Sequence, residues 1–304
     1  MSKRHFYTLI VLCLGISGFL CLHFYVPRFI TEIQNPVIKL LRNHVVNSQD
    51  TFENSGLKGK KIEFLTKDKV LLKAYLSYSN LDLVKATIIL VHGIRSKKEA
   101  FIKLSQKLSN LGFNTVSIDL RAHGESQGEH CTFGVKEKED ISALIDYLIN
   151  SEKVKHTIGI WGQSLGAAVA IQAMGTDKRI KFGIVESTFS DFKIITNDYF
   201  KYHAGFNVSL LTNYLVDRAG KIADFNPQDA SPRNYCKKIE QAVLMVHGNK
   251  DRRININYGR ENFLNLKTEN KVFLEIKEGT HLSIWKQGGK EYFDKVLKFI
   301  ENNV

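Results

Sequence analysis

The chain has 304 residues, 43% of them hydrophobic and 24% charged, enough for one sizeable α/β domain with an appendage and too few for two catalytic domains. Its 43 Lys and Arg against 31 Asp and Glu give a formal net charge of +12. The basic residues are scattered, with clusters such as Lys58, Lys60 and Lys61 and Lys250, Arg252 and Arg253, and no aromatic-interleaved basic stripe occurs. No nucleic-acid partner is therefore expected and the charge reads as a solvated surface.

From Phe6 to Val26 there is no Lys, Arg, Asp or Glu, and at ~1.5 Å per residue that run spans a bilayer core of roughly 30 Å. Lys3 and Arg4 flank it on one side and Pro27 stops it on the other. A cleaved secretory signal requires small residues at its cleavage site, whereas Phe19-Leu20-Cys21-Leu22-His23-Phe24-Tyr25 offers bulky ones. Residues 1–27 are accordingly expected to be an uncleaved single-pass anchor, with the body of the chain extracytoplasmic. Neither Cys13 nor Cys21 follows the small residue that a lipidated cysteine requires.

Residues 28–60 read as a juxtamembrane connector, with an amphipathic stretch at Val37–Leu41 and a polar run from Asn47 to Lys61. The main domain is expected over 61–304. Ile62–Leu65 and Val70–Leu76 predict a hairpin, and 87–91 a strand buried on both faces. Ala100, Phe101, Leu104, Leu108 and Leu111, then Ile141, Leu144, Ile145 and Leu148, recur at helical spacing. Strand and helix alternate to the carboxyl end, which predicts an α/β fold with a mostly parallel central sheet flanked by helices. Between Glu186 and Gln241 lies a stretch longer than a crossover helix, carrying Phe189, Phe192, Tyr199, Phe200, Tyr202, Phe206 and Tyr214. These aromatics either seat an insertion on the core, the ordinary role of such a stripe, or line an acyl pocket. Asn207-Val208-Ser209 is a glycosylation sequon only in a secreted eukaryotic product.

The chemistry-bearing motif is Gly162-Gln163-Ser164-Leu165-Gly166, directly after the apolar run Thr157–Ile160. A serine on so tight a strand-to-helix turn presents its hydroxyl above the sheet, and its neighbours two positions away must be nearly free of side chain. A serine hydroxyl is a poor nucleophile at neutral pH and needs an imidazole to take its proton and a carboxylate to orient that imidazole. Asp251 follows the strand Ala242–Val246, and His281 follows Lys271–Ile276, so acid and base are expected in loops at one edge of the sheet, in the order Ser164, Asp251, His281. Glu186, at the end of another strand, is the competing acid. Asp119, Arg121 and His123 have the look of a charge relay, and His92 and His247 precede glycines in tight turns, where backbone geometry outweighs the ring. No His-Glu-x-x-His, Cys-x-x-Cys or dinucleotide-type glycine loop is found, so no metal and no cofactor are expected. Outside the anchor only Cys131 and Cys236 remain, one disulfide or two free thiols.

Five stretches together, Ile88–Gly93, Asp119–Ser126, Gly162–Gly166, Val246–Asp251 and Gly279–His281, resemble the α/β-hydrolase superfamily, in particular the branch of serine aminopeptidases, monoacylglycerol lipases and bacterial membrane-anchored hydrolases. The resemblance covers about 61–304. It implies the α/β-hydrolase fold, a helical lid at approximately 188–236, a structural loop at Asp119, Arg121 and His123, and an oxyanion hole from the backbone amides of Ile94 and Leu165. The expected activity is a serine hydrolase acting on a carboxylic ester or thioester of a small-molecule or lipid-like acyl substrate, through an acyl-enzyme on Ser164. Two alternatives stand beside it. An aminopeptidase or prolyl-peptidase would need an acidic residue for the substrate amine, Glu186 or Asp191; a non-catalytic scaffold would have no physical need of all three of Ser164, Asp251 and His281.

Overall fold

The computed structural model describes residues 3–34, 51–206 and 208–304. The amphipathic stretch Val37–Leu41, the start of the polar run at Asn47 and the sequon residue Asn207 lie outside them. Lys3–Leu20 (α1) has no buried residue, as an all-apolar helix with no core to enter must. A π turn at Cys21–Tyr25 leads through Pro27 into Arg28–Thr31 (α2), so the helix does not stop at Pro27 as expected but runs to Thr31. The reason is local: proline lacks an N–H, and here it occupies the N-cap position of α2, where that donor would have no helical partner anyway. The whole segment Lys3–Thr31 is long and apolar enough to cross a membrane.

Its carboxyl end docks on the body of the protein. Thr31 is fully buried; its carbonyl accepts from the Cys131 N–H at 2.8 Å and its hydroxyl meets His130 Nδ1 at 3.1 Å. Ile33 enters the main core, and beyond the undescribed residues Phe52 is buried and stacked on Tyr75, 4.5 Å between ring centroids. The stretch expected to be a connector therefore supplies core side chains.

Gly59–Leu65 (β1), Leu71–Ser77 (β2), Ala86–Val91 (β3), Phe113–Ile118 (β4), Thr157–Gln163 (β5), Ile180–Glu186 (β6), Ala242–Gly248 (β7) and Lys271–Ile276 (β8) form one sheet in the order β1-β2-β4-β3-β5-β6-β7-β8. β1 and β2 are the predicted hairpin and β2 pairs antiparallel with β4; from β4 through β8 every pairing is parallel. β3 is buried along its whole length, which its unbroken apolar run predicts for a strand covered on both faces. Ile89 and Val91 pack with Glu137–Asn150 (α4) and Leu165–Met174 (α5) on one side, while Ile88 and Leu90 pack with Ile102–Ser109 (α3) and Ile284–Glu301 (α10) on the other. The period of two along the strand thus becomes two core layers.

Between β6 and β7 come Phe192–Ala204 (α6), Ser209–Ile222 (α7) and the short Pro232–Cys236 (α8); Ile256–Asn265 (α9) joins β7 to β8. Asp191 caps α6 by accepting from Lys193 and Ile194 N–H, and Gly205 ends it at φ 79°. The aromatics of this insertion divide. Phe189 and Phe192 are buried, Phe192 stacked on Phe133, whereas Phe200, Tyr202, Phe206 and Tyr214 are exposed. α7 also meets the amino-terminal helix, where Tyr214 OH lies 2.5 Å from His23 Nδ1. Cys131 and Cys236 are buried free thiols, so the two-thiol alternative holds.

Candidate active site

Ser164 sits between β5 and α5 at φ 54°, ψ −115°, a conformation that non-glycine residues avoid and that functional turns retain when their surroundings enforce it. The enforcement comes from two glycines. A Cβ on Gly162 would lie 2.2 Å from the Gly166 carbonyl oxygen, and one on Gly166 would lie 2.0 Å from the Val91 carbonyl oxygen, so no side chain fits at either position while the turn keeps this course. The Ser164 N–H donates to the Glu186 carbonyl at 2.9 Å, pinning the turn to β6.

The structure brings Ser164, His281 and Asp251 together. Ser164 Oγ lies 2.9 Å from His281 Nε2, and His281 Nδ1 lies 2.8 Å from Asp251 Oδ2. An ionised carboxylate can only accept, so Nδ1 carries the proton and Nε2 is left as the acceptor for the serine hydroxyl. The Asp251 side chain is fully buried; its Oδ1 accepts the N–H groups of Arg253 and Ile254, both at 2.9 Å. Burial alone would push this carboxyl up, but hydrogen bonds from His247 and His281 hold it well below the ordinary aspartate value. The acid and base loops are also tied to each other. Lys250 N–H donates to Gly279 O at 2.9 Å, Asn249 N–H to Ile276 O at 3.1 Å, and Glu278 N–H to Asn249 Oδ1 at 2.9 Å.

Two backbone amides lie near the nucleophile, that of Leu165, next to it in the chain, and that of Ile94, which lines the same cavity. Leu165 opens α5, where the first N–H groups have no helical partner, and Ile94 follows Gly93, whose position is so close that a Cβ there would lie 3.3 Å from the Ser164 Cβ. Among the described residues neither amide is engaged by another group. His92, read from sequence as a turn residue, has a ring with a task. Its Nε2 accepts from Leu120 N–H at 3.2 Å, which leaves Nδ1 to donate to the Gly93 carbonyl at 2.8 Å, fixing the peptide that presents Ile94. The preceding-glycine signal pointed to the turn and gave no hint of this hydrogen bond.

Glu186 stands beside Ser164 but is not joined to His281. It is fully buried, and its carboxylate accepts from Trp161 Nε1 at 2.7 Å, Gln163 Nε2 at 2.8 Å, Trp285 Nε1 at 3.0 and 3.1 Å, and Tyr292 OH. Burial pushes its carboxyl up and these donors pull it back. Asp191, the other acid considered for binding an amine, is occupied as the α6 cap and by Arg233 Nη2 at 3.4 Å. Asp119 and Arg121 are structural as the resemblance implied: Asp119 accepts from Lys98 Nζ at 2.8 Å and Glu125 N–H at 2.9 Å, and Arg121 grips Asp140 at 2.7 and 2.5 Å and Asp68 at 2.9 and 3.2 Å. A cavity of about 320 Å³ opens on Ser164 and His281, walled also by Tyr199, one of the insertion aromatics read as either packing or acyl-pocket residues, and by Arg253, which the sequence placed only in a basic cluster near Asp251. Among the described residues no cluster of His, Cys, Asp and Glu has a metal-binding arrangement.

The sequence model of the family described as "Serine aminopeptidase, S33" matches residues 82–219. The uncharacterized protein YqkD of Bacillus subtilis (strain 168) is 26% identical over 226 residues, 71% of each chain. Thiohydrolase aneE of Aspergillus aculeatus is 28% identical over 152 residues, 46% of each. Among solved structures, the Pyrococcus furiosus esterase Pf2001 superposes with a TM-score of 0.69 at 24% identity over 83% of this chain and 94% of its own, a likeness that carries the fold. The parallel sheet, the strained serine turn after β5 and these likenesses agree on one architecture, and the chain has the α/β-hydrolase fold.

Proposed function

We propose that the protein is a serine hydrolase that cleaves a carboxylic ester or thioester through an acyl-enzyme, with Ser164 as nucleophile, His281 as general base and acid, and Asp251 as its orienting acid. The observation that carries this reading is the unbroken hydrogen-bonded line from Ser164 Oγ through both ring nitrogens of His281 to Asp251 Oδ2, at 2.9 and 2.8 Å. In the first step Ser164 Oγ attacks the carbonyl carbon as its proton passes to Nε2, and Asp251 stabilises the imidazolium. The oxyanion forms toward the Ile94 and Leu165 amides, donors of the kind worth about 3–4 kcal/mol each to the transition state. Nε2 then protonates the departing alkoxide or thiolate, and a water activated by the same nitrogen hydrolyses the acyl-serine.

Ester or thioester is favoured over the substrate of an aminopeptidase because the two acids considered for binding an amine, Glu186 and Asp191, are both taken up by hydrogen bonds within the protein. The names of Pf2001, an esterase, and aneE, a thiohydrolase, lean the same way. The helix Lys3–Thr31 serves in this reading as a single membrane span, with the body of the protein on the extracytoplasmic side; resistance to carbonate extraction and digestion of the body by protease added to intact cells are the expected outcomes. A fluorophosphonate probe should label the folded wild type and fail to label Ser164→Ala. An unlabelled, folded wild type overturns the reading.

A further inference from the structure

The wall of the cavity at Ser164 carries two charged side chains besides the base: Glu186 and Arg253. They differ in what is left over for a ligand. Four side chains donate to the Glu186 carboxylate, which fills its acceptor sites and removes it from recognition. Arg253 is held at the wall by its backbone, since its N–H donates to Asp251 Oδ1 at 2.9 Å, while its side chain is exposed. Among the described residues no carboxylate pairs with its guanidinium and no acceptor takes its N–H donors. That sets it apart from Arg121, Arg179, Arg233 and Arg260, each of which reaches at least one carboxylate.

Tyr199 lines the cavity; burial pushes its phenol up and Asp251 adds to that, while Arg253 and Arg95 act on it in the opposite direction. Two guanidinium charges therefore lie within electrostatic reach of one cavity wall, on a chain of net charge +12. An unpaired guanidinium beside a partly enclosed cavity is suited to one kind of group, a carboxylate or phosphate taken in two parallel hydrogen bonds.

We propose that Arg253 is the specificity-determining residue of this site and that the ester cleaved at Ser164 bears an anionic group, a carboxylate or a phosphate, which pairs with its guanidinium. The proposal rests on the hydrolase reading above. The anion can belong to the acyl part or to the leaving group, and the two are told apart by matched substrates. The 4-nitrophenyl ester of pentanoate is compared with that of monoglutarate for the acyl side, and 1-octanoylglycerol with its 3-phosphate for the leaving side.

With the detergent-solubilised full chain, the wild type should favour the anionic member of one pair at low salt, and 0.5 M salt should compress that preference. Arg253→Gln should lower the anionic-to-neutral ratio of kcat/KM by about tenfold or more, chiefly through KM, as loss of a binding contact does; Arg253→Lys should restore part of it. Because the readout is a ratio within one enzyme, a general loss from disturbing the neighbouring Asp251 cancels. A ratio that Arg253→Gln leaves unchanged in both pairs overturns the proposal and leaves the hydrolase reading standing. Absence of both fluorophosphonate labelling and turnover of all four esters overturns the hydrolase reading, and the proposal with it.

Discussion

Replacing Asp251 by Asn and Glu186 by Gln should separate the acid that orients the base from the acid that only lies nearby. Asp251 Oδ1 is fixed by two backbone donors, Arg253 and Ile254 N–H. In Asp251→Asn the amide oxygen must stay there, because turning the amide would set its N–H₂ against both donors. The amide nitrogen then faces His281 Nδ1 and can only donate to it. His281 is forced into the tautomer with the proton on Nε2, 2.9 Å from Ser164 Oγ, where it can no longer accept the serine proton. Loss of the orienting carboxylate in this way costs about 10⁴ in kcat in a serine protease, or ~5 kcal/mol at 1.36 kcal/mol per decade, with little change in stability.

Glu186→Gln should do the reverse. Keeping its amide oxygen at the Oε1 position preserves the hydrogen bonds from Trp161, Tyr292 and Trp285, and leaves Gln163 Nε2 facing an amide N–H₂. A buried donor left without a partner costs about 1–3 kcal/mol, seen as a fall in Tm of several degrees, while turnover should stay within about tenfold of wild type. The assay is kcat on a soluble 4-nitrophenyl ester alongside thermal unfolding for both variants. If Asp251→Asn turned over within tenfold of wild type while Glu186→Gln fell a thousandfold, the acid assignment would be wrong.

Three further outcomes are expected. Gly166→Ala would put a Cβ 2.0 Å from the Val91 carbonyl oxygen and 2.6 Å from that of His92, contacts with backbone that cannot swing away, so it should lose several kcal/mol of stability and with it fluorophosphonate labelling; a wild-type Tm contradicts the account of the turn. Stability should fall as the pH drops below about 6.5, because burial depresses His92 and takes His123 down to about 3: both stay neutral when folded, both take up a proton on unfolding, and each contributes up to about 1.4 kcal/mol per pH unit above its folded value. His123→Asn should reduce that slope in urea unfolding between pH 5 and 7, and a pH-independent free energy there would refute the assignment. A fragment beginning at Lys60 lacks Thr31, Ile33 and Phe52, all buried in the full chain, so it should unfold at lower urea than one beginning at Pro27, by the ~2–5 kcal/mol typical of losing large core side chains; equal midpoints would mean those contacts contribute nothing.

The parts of this molecule legible in its sequence are those where one residue type answers a local geometric demand. Gly162 and Gly166 mark the turn because no Cβ fits there, and the all-apolar β3 announces a strand covered on both faces. Asp251 and His281 were legible through position, each a few residues beyond a strand whose carboxyl end meets the same edge. What the sequence withheld depends on which residues meet across long separations. Glu186 reads as an acid next to the nucleophile, and its exclusion from the proton path comes from Trp285 and Tyr292, about a hundred positions away on α10. Arg253 reads as one of several basic residues near Asp251; only the shape of the cavity distinguishes it from Arg252. The amino-terminal helix resumes past Pro27, a stop signal by composition, because the π turn before it and its N-cap position accommodate the missing N–H.

The docking of that helix changes what its base can be. A tether leaves a domain free to tumble, but here His23 touches Tyr214, Arg218 Nε reaches the His23 carbonyl at 3.5 Å, and Thr31 is bonded to the His130–Cys131 segment. The amino-terminal segment is thus fixed to the body at two separate places, the insertion helix α7 and the His130–Cys131 segment, so it constrains the body more than a tether would.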